Sequence, residues 1–385
     1  MLAVLAVLGA LYWLLGGVAA ILVIRGIPLL RTLTPSAPPR WPRVSILIPA
    51  CDEEATVAAT FEKLLADDYP DLEIVAVNDR SRDGTGAVLD RFAATDARVR
   101  AVHVRELPHG WLGKLNALRC GLEKASGEWL IVMDADVLVE PGTLRKLVAW
   151  CEQTGVDYAT ALPAFLPAGV LVDPAVAMGM RTIVSGLRAW EVSNPRSKAA
   201  MGFGAYNLVR RSAFDRTPGF EWLRLEVADD VGLALLMKRS GARCVVVNAR
   251  HEIALTFYAS FGEMIRRLEK NAYAIVGQYR LSRLLALVAF LFVFELAPFA
   301  ALLASGWPAV LSAVSLVVAL ATCGAMSRWV GLSASQGLAF PIGVVVISFT
   351  ELRAGIIGWR TGGIQWRGTF YPAAMMREGI RVSFP

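Results

Sequence analysis

The chain reads as a doubly wound α/β domain set between membrane-spanning helices. Three observations predict it: short β-branched runs alternate with helical patterns from Val44 to Met133, acidic residues follow those runs, and long uncharged stretches lie at Leu2–Ile24 and beyond Arg283.

Composition divides the 385 residues the same way. With 55% hydrophobic residues and a mean hydropathy of +0.49, the chain is too apolar for an ordinary soluble enzyme, yet its middle is normally charged. Leu2 to Ile24 carries no charge. At about 1.5 Å per residue, this run crosses a hydrocarbon core of roughly 30 Å. An N-terminal anchor over residues 1–27 is therefore expected. A cleaved signal peptide is the rival reading, but no basic stretch precedes the run, the run is too long, and no small-residue cleavage pattern follows. Arg25, Arg31, Arg40 and Arg43 come after it, so the positive-inside bias puts the next segment in the cytoplasm. The expected placement is an integral protein of a bacterial-type inner or plasma membrane.

Cys51, Cys120, Cys151, Cys244 and Cys323 form no CxxC pair, and His103, His109 and His251 have no ligand-like spacing. A zinc site and a disulfide framework are set aside. The net charge of +6 comes from arginines beside apolar segments rather than a basic stripe with interleaved aromatics, so no nucleic-acid partner is expected. Anionic headgroups and a diphosphate ligand fit that charge.

After a linker containing Pro35, Pro38, Pro39 and Pro42, Val44–Ile48 reads as a buried parallel strand closed by Pro49. Glu73–Val77, Val99–Val104 and Trp129–Met133 repeat the pattern, with helices expected at about Glu53–Ala66, Thr85–Ala94 and Lys114–Ala125. The folded domain is expected over residues 40–280. Two helices in it suit the membrane surface, one near 170–190, where Arg181 and Arg188 interrupt an apolar stretch, and one near 260–275. Two or three spans follow over 281–357, from the runs Leu284–Ala304, Trp307–Met326 and Val330–Thr350, and then a tail, 358–385. If all three runs cross, Arg353, Arg360, Arg367, Arg377 and Arg381 lie outside, against the positive-inside bias. Val330–Thr350, broken at Pro341, is the run that can be re-entrant.

Ligands of doubly wound sheets sit beyond the carboxyl ends of the strands. Acids stand there. Asp79, in the stretch Asn78 to Thr85, suits a nucleobase or ribose contact; its structural alternative is an Asp-Gly turn into a capped helix. Asp134 and Asp136 flank Ala135 on one side of an extended tripeptide, suited to Mg²⁺ or Mn²⁺ against a diphosphate, or to a solvated acidic loop. Asp229 and Asp230 head a helical pattern, either as caps or, for Asp230, as a general base. Arg266 and Arg267 lie on an amphipathic helix and suit a diphosphate or lipid headgroups. Lys114, after Gly110 and Gly113, either reaches a phosphate or is a surface lysine.

Taken in order over Arg43–Asn271, these clusters resemble family 2 glycosyltransferases of the GT-A fold. Pro49-Ala50-Cys51-Asp52-Glu53-Glu54 resembles that family's P-x-Y-N-E-E loop, which implies donor contacts at Pro49 and Glu53. Cys51 and Asp52 replace its Tyr and Asn. Asp79 matches the uridine-contacting aspartate, Asp134 and Asp136 the metal-binding DxD, and Asp230 the base of the E-D motif, with Asp229 in place of Glu. Met264-Ile265-Arg266 is similar to the (Q/R)xxRW element of ceramide glucosyltransferases and polysaccharide synthases, with Glu263 first and Arg267 where Trp is expected. The loop at Trp111 to Lys114 and the tail Gly363 to Tyr371 resemble transferases associated with carotenoid or hopanoid glycosylation. The resemblance implies an inverting transfer from a nucleotide-sugar, a UDP-hexose, to the hydroxyl of a sphingolipid-like or terpenoid membrane lipid. Two other readings stand beside it: a processive polysaccharide synthase, and a non-catalytic membrane protein that binds nucleotide-sugars.

Overall fold

The computed structural model describes residues 1–383. Its centre is a seven-stranded sheet. Strands β1 (Val44–Ala50), β2 (Leu72–Asp79), β3 (Val99–Val104) and β4 (Trp129–Val132) run parallel in the order β3-β2-β1-β4. Asn207–Arg210 joins β4 antiparallel, Tyr158–Leu162 pairs antiparallel with it, and Cys244–Asn248 closes the edge. β1 and β2 are buried almost throughout, as central strands covered on both faces must be, which accounts for their largely apolar runs, interrupted by Ser45 and Glu73, whose side chains bond to each other. The chain winds from β1 outward to β3 and then returns to place β4 on the other side of β1. That reversal opens a crevice at the carboxyl ends of β1 and β4.

A three-stranded sheet built from Val137–Val139, Ile253–Leu255 and Ala164–Phe165 lies beyond this crevice. It pins the residues that leave β4.

Three helices are long and apolar enough to cross a membrane: α1 (Leu2–Gly26), Trp307–Trp329 and Phe340–Thr361. α1 packs along Trp307–Trp329, where Gly17 lets Val318 and Thr322 approach and Trp13 is fully buried against Ala319 and Phe340. The stretch expected as a span over Leu284–Ala304 is broken into Leu281–Phe290, a π turn Leu291–Glu295 and Ala297–Ala301. The Phe261–Val276 segment meets Leu281–Glu295 at a 98° bend.

Val330–Thr350 differs from its expected form. Its helix begins only at Phe340, because Pro341 lacks an N–H and belongs in a first turn, and it runs on to Thr361 past Glu351 and Arg353. Arg353 is accommodated by an ion pair with Glu269 of the folded domain. Both ends of residues 330–361 return to that domain. At one end Asn248 Nδ2 donates to the Trp329 carbonyl at 2.7 Å, and Arg250 Nη1 to that of Arg328 at 2.7 Å. At the other, Gly363–Trp366 and Thr369–Pro372 form an antiparallel hairpin laid on the crevice.

The Val172–Gly186 helix is tied more deeply to the apolar helices than the charge of its Arg181 suggests. Arg181 is buried and pairs with the fully buried Glu295, which also accepts from the Tyr12 hydroxyl at 2.5 Å. Removing one partner strands the other charge away from water, at a cost of about 3–5 kcal/mol. Arg181→Met is therefore expected to lower the unfolding temperature of the detergent-solubilised protein markedly, with Arg181→Met/Glu295→Gln recovering most of the loss. Equal instability of the single and double variants would show that the pair does not act as a unit.

Candidate active site

The carboxyl ends of β1, β2 and β4 open into one cavity of about 380 Å³. Pro49, Ala50, Cys51 and Glu53 enter from β1, Asp79 and Arg80 from β2, Lys114 from the start of the Gly113–Leu122 helix, and Asp134 and Asp136 from the turn after β4. The opposite wall is Phe257, Tyr258 and the face of the Phe261–Asn271 helix carrying Arg266, Arg267 and Lys270. The tail hairpin closes it with Gln365, Trp366, Arg367 and Tyr371.

Asp79 is 3% exposed and accepts from Arg80 Nε at 2.8 Å and Nη2 at 3.0 Å. Arg80 turns back onto its neighbour because its φ of 56° lies in the left-handed region. Gly113 is required beside them, since any side chain there collides with the Asp79 carboxylate. The Asp-Gly turn open to this acidic stretch forms at Asp83, which accepts from the backbone N–H of Thr85 at 3.0 Å and of Glu54 at 3.1 Å, with Gly84 at the N-cap of the helix that follows.

Lys114 is no surface lysine. Its Nζ lies 2.8 Å from Asp134 Oδ1 and 2.9 Å from Asp229 Oδ2, joining two acidic clusters that are 95 residues apart, from 134 to 229. Burial pulls its ammonium down, but Asp134 and Asp229 outweigh that and hold it above its ordinary range. Gly204 keeps room for Asp134, because a Cβ there would sit 2.6 Å from Asp134 Oδ2.

Burial, together with Asp134 and Glu53, pushes the Asp136 carboxyl up to about 6, with Arg267 Nη1 at 3.6 Å working against it. Arg267 also bonds Glu263 at 2.8 Å, so this arginine is oriented from its own helix. Burial and then Asp229 raise the Asp230 carboxyl to about 7. Asp229 lines the cavity, whereas Asp230 stands behind it and accepts from the Val231 N–H at 2.8 Å. The other sequence-derived candidates, Pro49, Glu53, Asp79, Lys114, Asp134, Asp136, Arg266 and Arg267, all line the cavity.

Sequence reasoning missed Arg80, Lys270, Trp366 and Arg367. Lys270 was within reach, being four residues after Arg266 and so on the same helical face. Arg367 pairs with Glu53, and Arg80 Nη1 donates to Thr369 Oγ1 at 3.4 Å, contacts across some 300 residues that no local pattern announces.

Among the described residues no three His, Cys, Asp or Glu side chains form a ready metal cage. Two carboxylates suffice, however, for a Mg²⁺ or Mn²⁺ that takes its remaining oxygens from a bound phosphate and water. Asp136 is buried beside Asp134 and Glu53, with only the 3.6 Å contact to Arg267 facing it, a crowding of carboxylates that fits such a cation.

Residues 45–231 match the glycosyl transferase family 2 model. Over 125 residues the chain is 30% identical to an uncharacterized glycosyltransferase of Haemophilus influenzae, covering 32% of this chain and 37% of that one. It is 28% identical over 149 residues to the beta-monoglucosyldiacylglycerol synthase of Synechocystis, covering 36% and 31%. The chain thus spans about a third of the length of these curated relatives. In three dimensions it resembles the mannosyltransferase PcManGT of Pyrobaculum calidifontis, solved with GDP-Man and Mn²⁺, with a TM-score of 0.55 over 94% of this chain and 99% of that one. At 20% identity, that likeness is one of fold. Residues 45–231, just under half of the chain, thus carry a glycosyl transferase family 2 domain. Its architecture is GT-A, with apolar helices at both ends of the domain.

Proposed function

We propose that the protein transfers a sugar from a nucleotide-sugar to the hydroxyl of a membrane lipid, with inversion at the anomeric carbon. The observation that carries this reading is the convergence of Asp79, Asp136 and Asp229 on one cavity, facing cations on the opposite wall. In this reading Asp79 receives the nucleoside and Pro49 and Glu53 shape its pocket. Asp134 and Asp136 hold Mg²⁺ or Mn²⁺, which when bound neutralises the diphosphate oxygens. Arg266 and Arg267 face the departing diphosphate from the other side. The lipid hydroxyl attacks the anomeric carbon as the bond to the diphosphate oxygen breaks; because Asp230 stands behind the cavity wall, the proton passes to it through one water, and its raised carboxyl suits a base working near neutrality.

A lipid acceptor is supported by the three apolar helices and by the relative whose name is a glucosyldiacylglycerol synthase. We place the folded domain and the tail together on the cytoplasmic side. Residues 330–361 then enter the bilayer and return, which keeps the tail arginines inside as the positive-inside bias requires. A cysteine introduced as Ser383→Cys should react with a membrane-impermeant maleimide only after the membrane is opened; labelling above the wild-type background in intact cells contradicts this placement.

The reading is tested by incubating the detergent-purified protein with Mg²⁺ or Mn²⁺, radiolabelled nucleotide-sugars and extracted membrane lipids, then identifying the product by mass spectrometry. A lipid bearing one added sugar is the expected result. A long polysaccharide points to a processive synthase, and binding without turnover to a non-catalytic protein.

A further inference from the structure

We propose that Lys270, seated on Trp366 of the tail hairpin, is a binding residue for the diphosphate of a nucleoside diphosphate. The inference rests on the donor reading above and extends it to a residue outside the motifs.

Six cationic side chains line the cavity: Arg80, Lys114, Arg266, Arg267, Lys270 and Arg367. Four are already neutralised. Arg80 is paired with Asp79, Lys114 with Asp134 and Asp229, Arg267 with Asp136 and Glu263, and Arg367 with Glu53. Among the described residues, Arg266 and Lys270 have no such ion pair, and Arg266 is exposed to water, which solvates its charge. Lys270 is partly buried. Its Nζ donates to Asn271 Oδ1 at 2.7 Å and otherwise lies 4.0 Å above the Trp366 ring.

A cation in a cleft, short of both water and a counter-ion, costs free energy that the folded protein must carry. Such a group persists where an anion arrives to complete it. In the donor reading, the metal-side oxygens of that anion would lie toward Asp134 and Asp136, and Lys270 lines the cavity from the facing helix. The hairpin fixes this arrangement from both sides: Trp366 supports the ammonium while Arg367 and Thr369 tie the same turn to Glu53 and Arg80 on the nucleoside side. A lysine held as a point charge on an aromatic face suits a diphosphate whose oxygens shift as the sugar departs.

The test uses the full-length protein in neutral detergent, titrated with UDP, GDP and ADP in the presence of Mn²⁺, and separately with short-chain phosphatidylglycerol. Lys270→Gln is expected to weaken the best nucleoside diphosphate by about tenfold or more, and Lys270→Arg to stay within about threefold of wild type. Lys63→Gln, outside the cavity and paired with Glu140, is the neutral control. Without ligand, Lys270→Gln should unfold at the same or a higher temperature than wild type, whereas a merely structural lysine gives a lower one. Unchanged nucleotide affinity in Lys270→Gln overturns the inference, as does a loss confined to phosphatidylglycerol. If the wild type binds none of the three nucleotides, the donor reading itself fails.

Discussion

Asp136→Asn is expected to leave a folded protein that turns over at least about 10³-fold more slowly and no longer binds its donor better when Mn²⁺ is added. The size follows from what the position does. Removing a single preorganised group aimed at developing charge costs about 10² to 10³ in turnover, and here the metal that the group holds is lost as well. The structure makes the variant a clean one. Asp136 lies on the cavity wall, where burial and two neighbouring acids oppose its charge, so the neutral side chain gives up only the 3.6 Å contact with Arg267 and a bond to its own backbone N–H. Donor titrations with and without Mn²⁺ check it. Turnover or metal-dependent binding within a few-fold of wild type would move the metal elsewhere.

Substitution at the third acidic cluster separates chemistry from binding. Asp230→Asn is expected to reduce turnover by about 10² to 10⁴, the range for loss of a general base, with donor affinity held within a few-fold. Asp229→Asn is the necessary companion, because Asp229 lines the cavity and holds Lys114, so its loss should weaken donor binding too. A reversal of these two patterns would assign the proton to Asp229.

Asp230 also makes a prediction that does not need turnover. Its folded carboxyl is raised to about 7, against about 3.9 in an unfolded chain, so the folded state holds the proton more tightly. Any stability it adds is complete below about pH 4 and declines as pH rises toward 7. Asp230→Asn lacks that decline and should unfold at a higher temperature than wild type above pH 7, with the difference closing near pH 4. A variant less stable at both pH values contradicts the raised carboxyl. In the same account wild-type turnover rises with pH through about 7, as the base loses its proton.

The parallel core was legible because β1, β2 and β4 are buried on both faces, so each reads as a largely apolar run that leads to a candidate site residue: Pro49, Asp79 and Asp134. The long apolar helices were legible at α1 and Trp307–Trp329. At Val330–Thr350 the apolar run misplaced the helix, since hydropathy alone ignores that Pro341 starts a helix and that Arg353 finds a partner in Glu269. Which of Asp229 and Asp230 meets the cavity was not legible either. Consecutive helical residues point about 100° apart, and only packing against the Gly202 backbone and Lys114 decides which one turns inward. The hairpin roof rests on ties such as Arg367 to Glu53, for which the sequence carries no spacing rule.

The most direct measurement is a structure of the protein soaked with Mn²⁺ and its preferred nucleoside diphosphate, with the metal located by anomalous scattering. The account predicts one manganese peak between Asp134 and Asp136, the base beside Asp79, and diphosphate oxygens reaching Lys270. A manganese peak away from both aspartates, or a nucleotide bound on another face of the domain, contradicts it.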